Sequence, residues 1–394
     1  MRYDRPDPGL YLHIAYCASL CSYCDFFRVA SPFGVPDPYV DLLLEEAGYY
    51  REEPPIRLDS LYFGGGTPSL MTPSQIRRLI RGLSDRFAVP GTAEITLEAN
   101  PETVTPQALE AWRDAGINRL SLGIQSLSPA LLRPLDRRAG AERSREALRA
   151  AARAGFGALS ADLIAGLPGQ RTADLLESAI ETLDAPVDHV SCYLLALHPG
   201  SPLERRVTRG ECRLPSEDAT ADMLLALHEC LSKRGFEHYE ISNFARPGFR
   251  SRHNLKYWLG HDAIGIGPSA HGRFRGWMTA NPASVEDWSE RVRGGGTPCE
   301  IRVPVTPEME AEDRVIFGLR LSGGLDPEEP GALERVLGPG LSDRMRRLTE
   351  TGHAEWDDRG FRLTLEGFLV STEVLGFLLP DSYAAEPAGP PHSR

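Results

Sequence analysis

The chain has 394 residues, 41% of them hydrophobic, which is enough for a large core and for more than one domain. Its formal charge of -12 and its lack of a basic stripe exclude a general nucleic-acid-binding protein, because such proteins cluster Lys and Arg to displace counterions. The sequence has no run of 18 apolar residues and no apolar signal core near its start. We therefore expect a cytoplasmic protein without an integral membrane segment.

The first predicted strand, residues 10–14, leads into three closely spaced cysteines, Cys17, Cys21 and Cys24. The spacing is C-x3-C-x2-C, and three neighbouring thiols cannot all pair as disulfides. A structural zinc site needs a fourth ligand, which no neighbouring residue supplies. Three thiolates can hold three irons of a 4Fe-4S cluster and leave the fourth iron open to a small molecule. We therefore favour an iron–sulfur cluster over zinc or three unrelated core thiols.

Five further strands alternate with helices through the first half of the chain. Strands are predicted at residues 60–63, 94–98, 119–125, 159–164 and 189–195, and helices at residues 39–50, 146–154 and 173–183. Thr72 and Gln75 form a predicted capping box at the start of one more helix, and Thr105 and Pro106 open another. Strands and helices that alternate at such intervals are typical of a parallel sheet with right-handed crossovers.

Residues that could bind or react with a ligand follow the ends of these strands. The cysteines, the glycines at residues 64–66, Glu98, Gln125 and Asp162 all lie on or just beyond the carboxyl-terminal halves of strands. In a (β/α) barrel that end is the active face. Each of these residues alone could instead cap a helix or form a turn, but their shared position favours a functional site. Six units instead of eight predict an α/β fold, a partial (β/α)6 TIM-like barrel that is open on one side.

The glycine run continues as GGGTPS at residues 64–69. It is not a phosphate-binding loop, because it lacks the ending G-K-[ST] and a lysine that could reach phosphate. Glycines let a backbone approach a ligand closely, so carbonyl groups here could receive an ammonium group while Thr67 offers a hydroxyl.

The sequence pattern changes near Ser284. Helical patterns at residues 308–319 and 341–351 precede a predicted hairpin that turns at Arg359 and Gly360. Helices followed by a small hairpin suggest a winged-helix-like α+β domain that serves as a cover or a partner surface. We therefore predict a barrel domain at residues 1–283, a smaller domain at residues 284–380 and a disordered tail at residues 381–394.

Several motifs together resemble one known family. They are YLHIAYC (residues 11–17) with its thiol spacing, GGGTPS (64–69), EANP (98–101), GINRLSLGIQS (116–126), DLIAGLP (162–168) and HNLKYW (253–258). The chain resembles a radical S-adenosylmethionine protein of the oxygen-independent coproporphyrinogen III oxidase family over roughly residues 10 to 275. This resemblance implies that the methionine amine and carboxylate of S-adenosylmethionine chelate the fourth iron. It also implies that the reduced cluster can cleave this cofactor to a 5'-deoxyadenosyl radical.

The resemblance also assigns cofactor-binding residues. Cys17, Cys21 and Cys24 match the cluster ligands. Tyr11, Gly65 and Glu98 match positions that contact the first S-adenosylmethionine in the related oxidases. In those oxidases a second S-adenosylmethionine molecule is contacted by positions that match Tyr23, Gly66, Thr67, Gln125, Arg137, Asp162 and Ala196.

Three features favour the heme-chaperone branch of this family over the oxidases. The oxidases carry another cysteine two residues after the third ligand, where this chain has Phe26, and they have a longer segment before the first strand. The motif from His253 to Trp258 resembles the H-N-x-x-Y-W motif that the chaperones use for heme. The implied heme-binding residues are His253, Asn254, Tyr257 and Trp258. An imidazole can ligate heme iron, and aromatic rings offer flat apolar faces to a porphyrin.

The resemblance implies a heme chaperone of porphyrin metabolism that passes heme to an acceptor protein and takes electrons for its cluster from a donor. The alternative is an oxygen-independent coproporphyrinogen III oxidase, which decarboxylates coproporphyrinogen III oxidatively to protoporphyrinogen IX. A third reading is a structural zinc protein. The sequence departs from the family at Ala15, where a proline usually precedes the first cluster thiol by two residues.

Overall fold

The strands of the computed structural model, which describes residues 6–380, include all six that the sequence predicts. In chain order the strands are β1 (Gly9–Ile14), β2 (Tyr16–Cys17), β3 (Val29–Ala30), β4 (Ser60–Gly65), β5 (Glu94–Ala99), β6 (Arg119–Gln125), β7 (Ala158–Ala165), β8 (His189–Leu194), β9 (Glu237–Glu240), β10 (Asn243–Ala245), β11 (Ala263–Ile266), β12 (His271–Phe274), β13 (Trp277–Ala280), β14 (Ile301–Pro304), β15 (Ala354–Asp357) and β16 (Gly360–Leu363). The tail at residues 381–394 lies outside the described residues, so its expected disorder stays a prediction.

The helices also follow the predicted pattern. They are α1 (Asp37–Tyr49), α2 (Pro73–Ser84), α3 (Pro106–Asp114), α4 (Pro129–Leu132), α5 (Ala141–Ala154), α6 (Thr172–Thr182), α7 (Pro202–Thr208), α8 (Glu217–Ser232), α9 (Arg252–Trp258), α10 (Val285–Arg293), α11 (Pro307–Gly318), α12 (Glu329–Leu337), α13 (Leu341–Glu350), α14 (Leu365–Leu369) and α15 (Ser371–Leu378). Short 3-10 helices lie at Pro68–Leu70, Pro101–Thr103 and Arg133–Leu135. The capping box is confirmed: Gln75 N donates to Thr72 Oγ1 at 3.3 Å, and Thr72 N donates to Gln75 Oε1 at 2.8 Å.

One 12-stranded sheet forms the larger part of the molecule, in the order β14-β13-β12-β11-β1-β4-β5-β6-β7-β8-β10-β9. The six predicted strands β1 and β4 to β8 are parallel neighbours in chain order, as expected from right-handed crossovers. A seventh parallel strand, β11, pairs with β1 and was not predicted. The flanking strands β10, β9, β12, β13 and β14 pair antiparallel.

The two faces of the parallel strands differ in chemistry. Leu10, Leu12 and Ile14 of β1 are fully buried in a hydrophobic core shared with the helices. The alternate positions of the parallel strands form an inner face of polar or aromatic residues, which are Tyr11, His13, Tyr62, Thr96, Glu98, Ser121, Ser160, Asp162, His189 and Ser191. Because successive strand side chains point to opposite faces, the core lies between sheet and helices, and the inner face is available to polar ligands.

A second hydrophobic core begins at Ala311 and ends at Leu379. It joins α11, α12, α13, the β15–β16 hairpin and the last two helices, and the hairpin turns at Arg359 and Gly360 as predicted. Trp288 of α10 belongs to the first core, and β14 belongs to the large sheet. This packing favours a division between the domains after β14 instead of at residue 284.

The two cores are joined through the edge strand β9. Ile241 N donates to Arg320 O at 2.9 Å, and Ser322 N donates to Tyr239 O at 3.1 Å. Glu240 forms an antiparallel bridge with Leu321. The second domain therefore covers backbone groups that would otherwise lie at an open sheet edge. Among residues 6–380, no helix is both long enough and apolar enough to cross a membrane.

Candidate cofactor-binding site

The loop that carries the three cysteines is fixed to the sheet at both ends. Val29 N donates to Ala15 O at 2.6 Å, and the His13 ring donates from Nε2 to Phe27 O at 2.8 Å. The middle of the loop is held by Ser22 N, which donates to Leu135 O at 3.1 Å. These bonds place the loop at the carboxyl-terminal end of β1, as the sequence predicts.

None of the three thiols takes part in a disulfide bond, and their surroundings fit an iron–sulfur cluster. Burial raises the pKa of Cys17 and Cys21, and it raises the pKa of Cys24 to about 11 although Arg28 lies nearby. Thr67 Oγ1 donates to Cys17 Sγ at 3.3 Å. Bound iron deprotonates such thiols and would offset the cost of burying their charge.

The arrangement differs from that of a single-ion site. Within the described residues, no three His, Cys, Asp or Glu side chains form a group that could hold one metal ion. A cubane cluster does not need such convergence, because each cysteine binds a different iron. The three thiols of this loop match a cluster with one open iron, whereas a structural zinc ion needs four ligands around one point.

The glycine run at the end of β4 packs against the cysteine loop. Gly66 N donates to Ile14 O at 2.9 Å, and a Cβ on Gly66 would lie 2.8 Å from Ile14 O and 2.9 Å from Tyr16 O. A Cβ on Gly65, whose φ is +104°, would lie 2.8 Å from the His13 ring. The sequence predicts that this space receives a ligand. In the structure these close approaches are made by β1 and the cysteine loop, so a first role of the glycines is to let that loop approach β4.

Two carboxylates lie on the inner face. Glu98 Oε1 accepts a hydrogen bond from Tyr62 Oη at 2.6 Å, and Asp162 accepts one from Ser121 Oγ at 3.1 Å. Burial raises the pKa of Glu98 to about 7, the Tyr62 hydroxyl lowers it, and Asp162 raises it further. Burial also raises the pKa of Asp162 to about 6, against the hydrogen bonds of serine hydroxyls. Two carboxylates in such surroundings favour a positively charged ligand.

A chain of hydrogen bonds connects the cysteine loop to the ends of β4, β5 and β6. Arg137 donates from Nη1 to Tyr23 Oη at 3.1 Å and from Nη2 to Asn100 Oδ1 at 3.2 Å. Asn100 Nδ2 donates to Thr67 Oγ1 at 3.2 Å, and Thr67 contacts Cys17. The structure therefore connects Tyr23, Thr67 and Arg137, which the resemblance assigned to the second S-adenosylmethionine, with the first cluster cysteine.

Two of the remaining predicted residues lie at the same end of the sheet. Gln125 is the last residue of β6 and has a positive φ of 65°, an uncommon conformation for a residue other than glycine. Ala196 follows β8 and is exposed. The sequence predicts no role for Asn100 or Tyr62, although Asn100 lies in the EANP motif. In the structure Asn100 connects Arg137 to Thr67, and Tyr62 holds Glu98, the first residue of that motif.

The predicted heme motif lies at the opposite end of the strands. His253 of α9 is 1% exposed, and its backbone N donates to Glu94 Oε1 at 3.1 Å. His253 Nδ1 lies 3.0 Å from Ser60 Oγ, and Nε2 lies 3.0 Å from Tyr257 Oη. Ser60 and Glu94 are the first residues of β4 and β5, so α9 packs across the amino-terminal ends of the strands.

Of the other motif residues, Tyr257 contacts this histidine, whereas Asn254 and Trp258 contact other neighbours. Asn254 N donates to the capping Ser251 Oγ at 3.2 Å, and the Trp258 ring packs edge-on against Phe317 of α11 at 6.0 Å. Trp258 and Tyr257 are each partly exposed. The motif thus lies at the junction of the sheet with the second domain.

An aromatic stack connects the two ends of the inner face. The Tyr62 ring is 5.1 Å from the His253 ring and 6.1 Å from the Tyr11 ring. Tyr62 also binds Glu98. The predicted heme residues and the cysteine loop are therefore connected through side chains, but the structure does not bring them together.

Comparisons with known proteins identify the family of this chain. The model of the radical SAM superfamily matches residues 11–181, and together the fold and the site define a radical S-adenosylmethionine protein. A heme chaperone HemW of Lactococcus lactis is 32% identical over 365 residues, which cover 90% of this chain and 94% of that protein. A HemW of Mycobacterium tuberculosis is 37% identical over 359 residues, covering 87% of this chain and 91% of that protein. The chain belongs to the HemW family.

A solved structure shows the same fold. Coproporphyrinogen III oxidase (HemN) from Escherichia coli superimposes with a TM-score of 0.81 at 23% sequence identity, covering 96% of this chain and 91% of that one. The predicted α/β partial barrel with a smaller carboxyl-terminal domain is thereby confirmed.

Proposed function

We propose that this protein is a heme chaperone that binds heme, a 4Fe-4S cluster and S-adenosylmethionine and transfers heme to an acceptor protein. The observation that carries the proposal is the separation of the two candidate sites. His253 lies at the amino-terminal ends of the strands, and the cysteine loop lies at their carboxyl-terminal ends. Heme bound at His253 would be cargo, because a radical formed at the cysteine loop acts on groups in contact with it.

The cluster would be held by Cys17, Cys21 and Cys24. When bound, it supplies the electron that cleaves S-adenosylmethionine. Glu98, with its pKa near 7, would stabilise the positive charge of the cofactor, and Tyr11 and Gly65 would orient it against β1 and β4. The further predicted contacts are Tyr23, Gly66, Thr67, Gln125, Arg137, Asp162 and Ala196.

Heme would be held by the α9 motif, with His253 as the iron ligand. The His253 ring already contacts two hydroxyls, so ligation requires Nε2 to exchange the Tyr257 hydroxyl for iron. Tyr257 and Trp258 would pack against the porphyrin, and Asn254, whose backbone N–H donates to the capping Ser251 side chain, would offer its side-chain amide to heme. The partly exposed Trp258 marks the edge through which heme would enter.

The partners in this proposal are heme, a heme-acceptor protein and an electron donor for the cluster. The charge of -12 is consistent with a protein that does not bind nucleic acid. The cytoplasmic location expected from the sequence is part of the proposal. An oxidase reading is disfavoured by Phe26, which stands where the oxidases carry a further cysteine.

Incubation with coproporphyrinogen III tests this function. We expect the anaerobically reconstituted protein, supplied with S-adenosylmethionine and dithionite, to form no protoporphyrinogen above the level of a Cys17→Ser/Cys21→Ser/Cys24→Ser variant. Tetrapyrroles would be separated by chromatography after oxidation to porphyrins. Turnover of coproporphyrinogen III by the wild type alone would establish the oxidase and contradict a carrier without that activity.

A further inference from the structure

Arg28 bridges two backbone carbonyl groups of the cysteine loop. Its Nη2 donates to Cys21 O at 3.1 Å, and its Nη1 donates to Phe26 O at 2.8 Å. Cys24 lies between these two points in the sequence, so one guanidinium group spans the segment that carries two of the three thiols. Asp25, the acidic residue nearest to Arg28 in the sequence, instead faces His198, with 3.3 Å between Oδ2 and Nε2.

The third nitrogen of this guanidinium lacks an acceptor. Arg28 Nε is buried and has no hydrogen-bond partner in the described part of the chain. A buried donor of a charged group is costly to leave unpaired, and folded proteins rarely do so. The buried N–H therefore points to an acceptor that a bound group supplies at the cysteine loop.

The positive charge of Arg28 acts on all three thiols. Burial raises the pKa of each thiol, and Arg28 opposes this rise at each of them. At Cys24 the opposing effect of Arg28 is the largest one. Three further charged side chains act on Cys21, and they are Arg137, Glu102 and Asp136. A cation that favours a thiolate also favours additional negative charge on a cluster that the thiolates hold.

Arg137, the other cation near these thiols, has a different set of contacts. Its Nη1 and Nη2 already donate to Tyr23 Oη, Asn100 Oδ1 and Gly123 O. These bonds connect separate strands and the loop, as described above. A brace of this kind also accounts for the two bonds from Arg28 to backbone carbonyls. It does not account for the buried Nε–H of Arg28, which contributes to neither bond.

We propose that Arg28 stabilises the reduced form of the bound cluster, with its Nε–H donating to a sulfur atom of the cluster and its charge offsetting the added electron. The proposal rests on the proposed function, since it presupposes the cluster. Reduction adds one electron to the cluster, and Arg28 itself is neither oxidised nor deprotonated. Hydrogen bonds to sulfur and nearby positive charge both favour the more negative, reduced form. Arg28 therefore raises the reduction potential.

Redox titration of the anaerobically reconstituted protein tests the proposal. Electron paramagnetic resonance of the reduced cluster, recorded at a series of potentials without S-adenosylmethionine, gives the midpoint potential of whatever fraction of the chains is loaded. We expect Arg28→Gln to lower the ratio of reduced to oxidised cluster about tenfold at a fixed potential, which is a shift of about 59 mV for one electron. Arg28→Lys keeps the charge but lacks the guanidinium Nε–H, so we expect it to lower the ratio about threefold.

The matched control is Arg113 of α3, which likewise donates from Nη1 to a backbone carbonyl, Ala154 O, at 2.7 Å. We expect Arg113→Gln to leave the midpoint potential unchanged. Equal potentials in the wild type and both Arg28 variants would overturn the proposal, even at a lower yield of cluster, because a structural brace alone changes only the yield. If Arg28→Gln holds no cluster, Arg28→Lys decides by the same criterion. A wild type that binds no iron or acid-labile sulfide would instead contradict the cluster of the proposed function.

Discussion

Glu98 and Asp162 show how single residues prepare the inner face for a cation. Both carboxyl groups have raised pKa values, chiefly because burial disfavours their charged forms. The negative charge of Asp162 raises the pKa of Glu98 further. S-adenosylmethionine carries a permanent positive charge on sulfur, so its binding would draw both groups into their ionised forms.

We expect the affinity for S-adenosylmethionine to rise between pH 5.5 and 7.5, up to about tenfold per pH unit below the pKa of Glu98 near 7. Glu98→Gln should weaken binding about 10- to 100-fold at pH 8 and flatten the pH dependence, because a neutral amide gives no charge-assisted hydrogen bond. Anaerobic equilibrium dialysis at several pH values measures both effects. Glu146→Gln on the surface of α5 is the control, and an equally steep slope in Glu98→Gln would contradict the assignment.

A substitution of Tyr257 tests whether His253 is the heme ligand. Its hydroxyl lies 3.0 Å from His253 Nε2, and iron would have to displace it. A net hydrogen bond contributes about 1 kcal/mol, so Tyr257→Phe should tighten heme binding about fivefold while keeping the aromatic face. Tyr49→Phe, at an exposed position, should have no effect. Weaker heme binding in Tyr257→Phe, measured by Soret titration, would contradict displacement of this hydroxyl by iron.

At the scale of elements, the site depends on how closely the end of β4 meets the loop after β1. A Cβ added to Gly64, Gly65 or Gly66 would lie within 3.0 Å of neighbouring atoms. For Gly66 these neighbours are backbone atoms of residues 14–16. Backbone cannot move aside as a flexible side chain can. The glycines therefore fix the position of the cysteine loop relative to the sheet.

We expect Gly66→Ala to move the cysteine loop and reduce reconstituted iron and sulfide at least severalfold. The matched control is Gly91→Ala, because a Cβ on Gly91 meets no atom within 4 Å. Iron and acid-labile sulfide analysis of both variants after the same reconstitution gives the comparison. Full cluster loading in Gly66→Ala would show that the close approach does not position the thiols.

At the scale of the whole molecule, the joint between the two domains buries a carboxylate. Glu240 of β9 is fully buried, and its Oε1 has no hydrogen-bond partner among the described residues. Burial raises the pKa of Glu240 to about 7, although Ser242 N donates to it at 3.3 Å. Since the pKa is higher in the folded state than in the unfolded chain, this group stabilises the fold fully at low pH. That contribution is lost as pH rises through about 7.

We expect Glu240→Gln to make the free energy of unfolding less dependent on pH between about 5 and 7, by up to about 1.4 kcal/mol per pH unit. The raised pKa values of Glu46, Glu98 and Asp162 act in the same direction, so part of the slope should remain. Urea unfolding of the cluster-free protein at several pH values measures the slope. The control is the exposed Glu229→Gln, and equal slopes in wild type and Glu240→Gln would contradict this account.

Much of the fold could be predicted because local signals agree with tertiary structure. The regular alternation of strands with helices identified the six parallel strands, Thr72 and Gln75 marked the start of α2, and Arg359 marked the hairpin turn. The strand β11 was missed because Gly265 interrupts its pattern. That glycine is needed because a Cβ there would lie 2.2 Å from His271 O of the adjacent strand.

The site was predictable only in part, because only some of its features are encoded by local sequence. Thiol spacing is local, so it identified the cysteine loop without knowledge of the fold. The burial of His253 depends on how α9 packs across the ends of β4 and β5, which no local pattern encodes. The link from Arg137 through Asn100 to Thr67 joins segments far apart in the chain and could not be predicted from either end.

The central claim is that heme binds at His253, away from the cluster. Heme titration of the anaerobically reconstituted protein, followed by Soret absorbance, tests it in the wild type, in Cys17→Ser/Cys21→Ser/Cys24→Ser and in His253→Ala, with circular dichroism to verify folding. We predict saturation near one heme per chain in the wild type and in the triple variant, and at least tenfold weaker binding in His253→Ala. Heme binding that is lost in the triple variant and kept in His253→Ala would place heme at the cysteine loop and contradict the claim.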